Sequence, residues 1–394
     1  MKLSSYYADL HIHIGRTEAG EAVKISAANN LTFFNIAKEA SQRKGMDIVG
    51  IIDCHSPGVQ TEMLHYLDTG DMKELAGGGI RYHQTTVLLG CELEVRDPGM
   101  RPAHLLAYLP AIEDMRSFTE WLRRHMKNVQ LSSQRLYVPA RELQQEVIGR
   151  GGLLIPAHIF TPHKSIYGSS CTRMSELLDP EGIAAVELGL SADSTMAGYI
   201  SELERYTFLT NSDAHSLPKI GREYNKLQLA EPTFEEFRRS LTGEGDRQVL
   251  ANYGLNPRLG KYHRTYCAAC ESILDEQDAS VVERCLYCGS TKIVRGVMDR
   301  ILSISDREQP IVPANRPPYR YQVPLEFIPG LGPKLLNRLL ERFGTEMDLL
   351  HRASYEELAE TAGERIAGYL LAARQGTLEL QTGGGGKYGK VEQG

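Results

Sequence analysis

The 394-residue chain has no apolar run long enough to span a bilayer. Its start, "MKLSSYYADL", lacks an apolar signal core, which predicts a cytoplasmic protein with no membrane partner. There is no disulfide framework either, since four of the seven cysteines fall into two C-x-x-C pairs and three are scattered. Positive charge is not in excess. The formal net charge of −6 argues mildly against nucleic acid as a partner, an argument that loses force if the chain carries several divalent cations, which the count omits. Also missing are a G-x-S-x-G elbow, a P-loop and a G-x-G-x-x-G behind a strand. No Ser or Cys has a base placed by spacing, so no covalent intermediate is expected.

What remains is an ordinary globular composition, 42% hydrophobic and 24% charged, with room for one large domain and one or two small ones. Residues 1–255 alternate apolar runs with helical patterns. Strand candidates are "YYADLHIHI", "DIVGIIDC", "TTVLLGCELEV", "AHLLAYL", "GGLLIPAHI", "IAAVELGL" and "YTFLTNSDAH". Between them lie helix-like segments such as "NNLTFFNIAKEASQRKG", stopped at Lys44 and Gly45, and "PTFEEFRRSLTG", where Thr233 and Glu236 have capping-box spacing. Such alternation predicts an α/β fold, a barrel or a doubly wound sheet, with its site at the strand ends. Residues 256–305 form a cysteine module. Residues 306–323 are proline-rich and predict an extended linker, 324–375 predict a small helical domain, and the glycine-rich tail 376–394 predicts disorder.

The chemistry gathers at strand boundaries. His11 and His13 stand two apart at the end of the first apolar run, so a strand points both to one side. The same spacing returns at Asp53 and His55 and at Asp213 and His215. Glu92, His104 and His158 flank three further runs. Satisfied buried histidines explain any one of these more easily than they explain the set. Imidazoles with carboxylates suit transition metals, and two or three divalent ions about 3.5–4 Å apart clamp a phosphate and activate water.

In this order "DLHIH", "DCH", "GCE", "AHLLAY", "PAH" and "SDAH" resemble the motifs of the PHP (polymerase and histidinol phosphatase) family. The resemblance implies an α/β fold of the distorted (β/α)7 barrel type with a multinuclear metal site that hydrolyses phosphate esters. It implies His11, His13, His55, Glu92, His104, His158, Asp213 and His215 as ligands of two or three Zn2+, Mn2+ or Mg2+ ions, with Glu18 as the acidic ligand that follows the second histidine. By the same resemblance Asp53, next to the ligand His55, acts as an orienting or base-like residue. Asp53, His55 and Asp213 are the expected catalytic residues.

Cys267-x2-Cys270 and Cys285-x2-Cys288 have the spacing of a four-thiolate ribbon holding structural Zn2+. In "FIPGLGPKLLNRLLERFG", Gly330 and Gly332 allow a tight turn whose bare N–H groups face an anion, and Lys334 and Arg338 put charge on one helix face. This looks like a helix-hairpin-helix grip on DNA backbone. Barrel, ribbon and hairpin in that order resemble the DNA-nicking branch of the PHP family, which cuts 5′ of a deaminated base flipped out of the duplex. The implied partner is double- or single-stranded DNA carrying a damaged base. Two alternatives stay open: a small-molecule phosphoesterase of the histidinol-phosphatase type, and a non-catalytic DNA-binding accessory protein. For the lesion pocket the sequence offers "IYGSSC", where the backbone of Ser169, Ser170 and Cys171 would read the O=C–N–H edge of a deaminated base, with Ile166 or Tyr167 against its ring.

Overall fold

The computed structural model describes residues 2–274, 283–378, 380–381, 387 and 390–391. In chain order the barrel part runs β1 (Ser4–Ile12), α1 (Phe33–Glu39), β2 (Ile48–Ile51), α2 (Pro57–Asp68), β3 (Lys73–Glu74), β4 (Ile80–Tyr82), β5 (Thr85–Val95), β6 (Ala103–Leu109), α3 (Ile112–Arg123), α4 (Ala140–Gly149), β7 (Leu153–Pro156), β8 (Val186–Glu187), α5 (Ser194–Ala197), β9 (Phe208–Leu209), β10 (Tyr224–Leu229), α6 (Phe234–Thr242) and β11 (Gln248–Gly254). The module that follows holds β12 (Tyr266–Cys267), β13 (Ile293–Val294) and α7 (Val297–Ile304). After β14 (Tyr319–Tyr321) come four helices, α8 (Pro333–Phe343), α9 (Glu346–His351), α10 (Tyr355–Ala362) and α11 (Glu364–Gln375).

Seven staves close a barrel. β1 runs parallel to β2 and β2 to β5. β5 and β6, then β6 and β7, are antiparallel. The Ala184 N–H to Leu154 C=O bond joins β7 to the start of β8, which runs parallel to β9. The ring closes where Ile12 bridges Ala214. Residues from every stave (Ala8 and Leu10, Ile48, Leu88, Leu106, Ile155, Ala185, Leu209) meet in one apolar cluster closed by Phe234 and Phe237 of α6. The reversal of β6 matters for the site. His104 begins β6 and pairs with Glu94 near the end of β5, so it lies at the same barrel end as residues that close their strands.

The caps follow the sequence. The Thr233 hydroxyl accepts the Glu236 N–H at the start of α6, and α1 runs through Ala40–Lys44 to Gly45, which takes φ +77°. The Thr233 box is only half formed, because the Glu236 carboxylate turns instead to Ala230 N–H and Arg247.

Two expectations change. The proline-rich stretch 306–323 is extended but docked. Tyr319–Tyr321 pairs in parallel with β11, and the Arg316 guanidinium sits 3.7 Å from the Phe208 ring centre while donating to Leu203 C=O. Free carbonyls and an open aromatic face on the barrel hold it there. In the tail, Leu380–Gln381 pairs with Lys390–Val391; the other tail positions expected to be disordered lie outside the described residues, apart from 376–378 and 387. The helical part is also tied to the barrel, through a buried Lys44–Glu346 ion pair at 2.9 Å and an Arg43–Asn337 hydrogen bond. Among the described residues no helix is long and apolar enough to cross a membrane.

Candidate metal centre

The register of β1 shifts between Asp9 and Ile12, and the strand end re-pairs with residue 214 through His13 N–H to Ala214 C=O and Ala214 N–H to His11 C=O. This irregular end brings His11 and His13 together against the Asp213 loop. His11 Nε2 lies 3.6 Å from Glu92 Oε1 and 3.5 Å from Asp213 Oδ1. His13 Nε2 lies 3.7 Å from Glu92 Oε2 and 3.6 Å from the same Asp213 oxygen. A tetrahedral ion with bonds of about 2.0–2.2 Å separates its donors by about 3.3–3.6 Å. His11, His13 and Glu92 therefore fit one divalent cation, with Asp213 within reach of both nitrogens. His11 Nε2 is buried and makes no hydrogen bond, so a ligand is the partner its position calls for.

A second group uses the other side of Glu92. Oε1 is 2.8 Å from His104 Nδ1, which is too misaligned for a hydrogen bond, and 3.4 Å from His158 Nε2. Three donors leave room for water or substrate. His215 stands beside the first group with its Nδ1 3.5 Å from Asp213 Oδ1, and His13, Asp213 and His215 form a third overlapping set.

Hydrogen bonds behind the ring set its orientation. Glu187 takes His11 Nδ1 at 2.9 Å and is itself held by Asn211 and by the His158 N–H. Asp53 Oδ2 takes His13 Nδ1 at 3.1 Å and the Ile14 N–H at 2.7 Å. Asp9 accepts from Ser212 and Gly221 N–H and so fixes the loop that carries Asp213 and His215. Such partners fix which ring nitrogen faces the metal. Two ligands pay in backbone strain: His158 has φ +29° and Asp213 φ +46°, a conformation costing about 1–3 kcal/mol and found mainly at functional sites. Gly189 makes His158 possible, since a Cβ there would come within 3.0 Å of the His158 Cβ.

The electrostatics ask for a cation. Burial works against a charged His11, yet Glu187 and Asp213 raise it to about 10. Burial would raise Glu92, but His104 and Lys24 hold it well below the carboxylate range. Burial, then Lys24, pushes His13 down, leaving a neutral imidazole of the kind metals bind.

Not every expected residue joins. The chain after His13 turns back on itself through Thr17 and Glu21, so Glu18 sits at a hairpin tip with its carboxylate on the Tyr66 hydroxyl at 2.7 Å, away from the ring. His55 is buried but belongs to no group of ligand atoms; its Nε2 faces the Leu131 carbonyl at 3.4 Å. The loop 166–171 does not offer a base pocket. Ile166 and Tyr167 are fully buried, the Tyr167 hydroxyl is spent on Glu202, and the Ser170 and Cys171 N–H groups go to Ser165 and Ile166 carbonyls. The Ser169 hydroxyl also turns inward, to the Ser165 carbonyl. Small polar residues here serve a tight turn. Glu187, Asn211, Ser132 and Lys24 were not found from sequence. Glu187 follows the apolar run "IAAV" as Glu92 follows "TTVLLGC", and that parallel was its available signal.

Above the ring opens a cleft of about 470 Å³ whose walls include His104, His158, His163, Lys164, Leu190, Lys219, Lys261 and Tyr262. Tyr262 belongs to the arm leading into the cysteine module. There Cys267 Sγ lies 3.6 Å from Cys288 Sγ and Cys270 Sγ 3.6 Å from Cys285 Sγ. All four fit a tetrahedral thiolate site, whose edges run about 3.8 Å. Farther along, Gly330 takes φ +82° and Gly332 caps α8, with Lys334 exposed on its first turn. Arg338 donates to the Thr361 carbonyl and so braces α8 against α10.

A carboxylate–histidine cluster at one end of a seven-stave barrel, joined to a four-cysteine knot and a hairpin of helices, defines a metal-dependent phosphoesterase with appended modules. No family model matches the chain. The chain is 50% identical, over 99% of its length and the whole of the other protein, to the uncharacterized protein YqxK of Bacillus subtilis (strain 168). It superposes with a TM-score of 0.85 and 34% identity on the lesion-specific endonuclease PfuEndoQ of Pyrococcus furiosus, covering 99% of this chain and 95% of that one. With endonuclease Q bound to a 27-mer duplex substrate carrying an abasic lesion at the active site, the TM-score is 0.86 at 33% identity, over 99% and 97% of the two chains. The chain belongs to the endonuclease Q family.

Proposed function

We propose that this protein is a metal-dependent DNA repair endonuclease that hydrolyses the phosphodiester 5′ of a deaminated base (uracil, hypoxanthine or xanthine) and of abasic sites. The observation that carries the reading is the convergence of His11, His13, Glu92, His104, His158 and Asp213 at one barrel end, where His104, His158 and Asp213 line a cleft with lysines on its wall. Divalent ions held by these donors supply Lewis-acid chemistry, lowering the pKa of water and clamping the scissile phosphate. We assign Zn2+ to the four thiolates and two or three divalent ions, Zn2+, Mn2+ or Mg2+, to the barrel.

The chain's own residues do the rest. Glu187 and Asp53 hold the two β1 histidines with Nε2 inward. Asp213 and His215 are the partly exposed members, at 31% and 34% of their side-chain surface, and meet the substrate first. Lys164, Lys219 and Lys261 on the cleft wall favour a polyanion over a neutral substrate. The cleft has the volume of a small-ligand site, enough to admit one extruded nucleotide. A base already mispaired or missing costs less to extrude, which gives selectivity before any base contact. Lys334 and the turn at Gly330 and Gly332 track the backbone without reading sequence.

The test is to incubate end-labelled duplexes carrying uracil, hypoxanthine, xanthine, an abasic site or no lesion with Mg2+, Mn2+ or Zn2+. The reading expects a nick 5′ of the lesion that leaves a 3′-hydroxyl and a 5′-phosphate. Turnover of sugar phosphates without nicking would favour the small-molecule phosphoesterase reading.

A further inference from the structure

Lys24 stands where a metal centre would ordinarily exclude it. Its Nζ lies 3.3 Å from Glu92 Oε2, the flank of that carboxylate that does not face His104 and His158, and it also donates to Ser133 Oγ at 2.5 Å. The placement is built. The Lys24 and Val23 N–H groups pair with Ile14 and Gly15 carbonyls, and Ser132 N–H closes on Val23. Ser133 takes φ +53° to present its hydroxyl to both Lys24 and Glu92, while the neighbouring Ser132 hydroxyl reaches His13 Nδ1 at 3.1 Å. One strained serine pair thus ties the ammonium to both metal-binding groups.

A lysine in this position repels divalent ions, so holding metal is not its use. The His and carboxylate donors form three overlapping sets, His11 with His13 and Glu92, Glu92 with His104 and His158, and His13 with Asp213 and His215, and Lys24 belongs to none of them. Of the three ammonium protons, two have acceptors, Glu92 and Ser133, and the third has none among the described residues. The side chain keeps 16% of its surface exposed.

We propose that Lys24 is a further catalytic residue: its ammonium is a fixed cation of the centre, and its unpaired N–H takes a phosphodiester oxygen as negative charge grows there. This rests on the phosphodiesterase reading above. The centre thereby gains a charge that cannot dissociate, and accepts weaker metal binding in exchange.

The two consequences have opposite signs, which a structural lysine would not produce. Lys24→Met keeps the stem and removes the charge. On the full-length protein with its thiolate site loaded, Mn2+ titration followed by calorimetry should show binding tightened about tenfold, because a like charge is gone. Single-turnover nicking of an abasic-site duplex should fall about a hundredfold, as on loss of one preorganised donor. Lys24→Arg, which keeps the charge with altered geometry, should leave Mn2+ affinity near wild type. Weaker or unchanged Mn2+ binding in Lys24→Met, or nicking at the wild-type rate, overturns the proposal. If wild-type protein nicks no DNA, the nuclease reading fails, while the Mn2+ arm still decides whether Lys24 opposes the metals.

Discussion

Glu187 and His11 share a buried hydrogen bond, Oε2 to Nδ1 at 2.9 Å, that leaves His11 Nε2 aimed at Glu92 and Asp213. The pair couples the first strand to β8 across the barrel, so the His11 ring is oriented by a residue 176 positions away. Glu187→Gln keeps the size but cannot hold the Nδ1–H as strongly. Mn2+ affinity should drop about 10- to 100-fold with little change in melting temperature of the metal-free protein. Equal affinity in variant and wild type would mean that Glu187 only fills space.

The thiolate knot holds the arm that bears Tyr262. Cys267→Ser removes one of four donors whose mutual spacing fits a single ion. Elemental analysis should show about one zinc fewer per chain, and the module should become sensitive to proteolysis, since metal supplies its folding energy. Unchanged zinc content would argue against a four-thiolate site.

The two basic residues of α8 now separate. Lys334 is exposed, whereas Arg338 is committed to Thr361. Lys334→Glu should weaken binding to damaged and undamaged duplexes alike and reduce the salt slope by about one. Arg338→Ala should lower the melting temperature more than the affinity. The reverse pattern in fluorescence anisotropy and thermal melts would return Arg338 to the DNA face.

His351 sits at the seam between helices and barrel, stacked on Tyr7 at 4.6 Å with its Nε2 2.7 Å from the Tyr224 hydroxyl. Burial, reinforced by Lys226, Arg374 and Arg352, holds it down at about 4. An unfolded histidine titrates near 6.5. Between these values the unfolded chain binds a proton that the folded one refuses, so stability is full above about pH 6.5 and is lost as the pH falls toward 4. The loss is about 2 kcal/mol after allowing for partial exposure. The drop in melting temperature from pH 7.5 to 5 should be smaller in His351→Phe than in wild type, and an equal drop would place the acid sensitivity elsewhere.

Much of the site was legible because metal ligands must be His or carboxylate and must stand at strand ends. His11, His13, Glu92, His104, His158, Asp213 and His215 all come together. The cysteine spacing was equally direct. Most misses share a cause. Glu18 and residues 166–171 were placed by proximity along the chain to expected ligands, but a hairpin at Thr17 to Glu21 and a wide turn at Ile166–Ser170 turn them elsewhere; His55 was placed by its spacing from Asp53 and faces the Leu131 carbonyl instead. Lys24 was not legible for the opposite reason: its partners are distant in sequence, and a lysine does not stand out in a chain where a quarter of positions are charged. The linker was read from proline content, which reports stiffness but not what a stiff segment docks against.

The most direct test of the account is single-turnover nicking of a uracil-containing duplex by wild type and by Asp213→Asn in the presence of Mn2+, with duplex affinity measured alongside. Asp213 serves the metal ring and lies far in sequence from the hairpin at Gly330. The account predicts a 5′-side nick by wild type, a rate lower by at least about a hundredfold in Asp213→Asn, and affinities within about twofold of each other. Cleavage by the variant at the wild-type rate would contradict it.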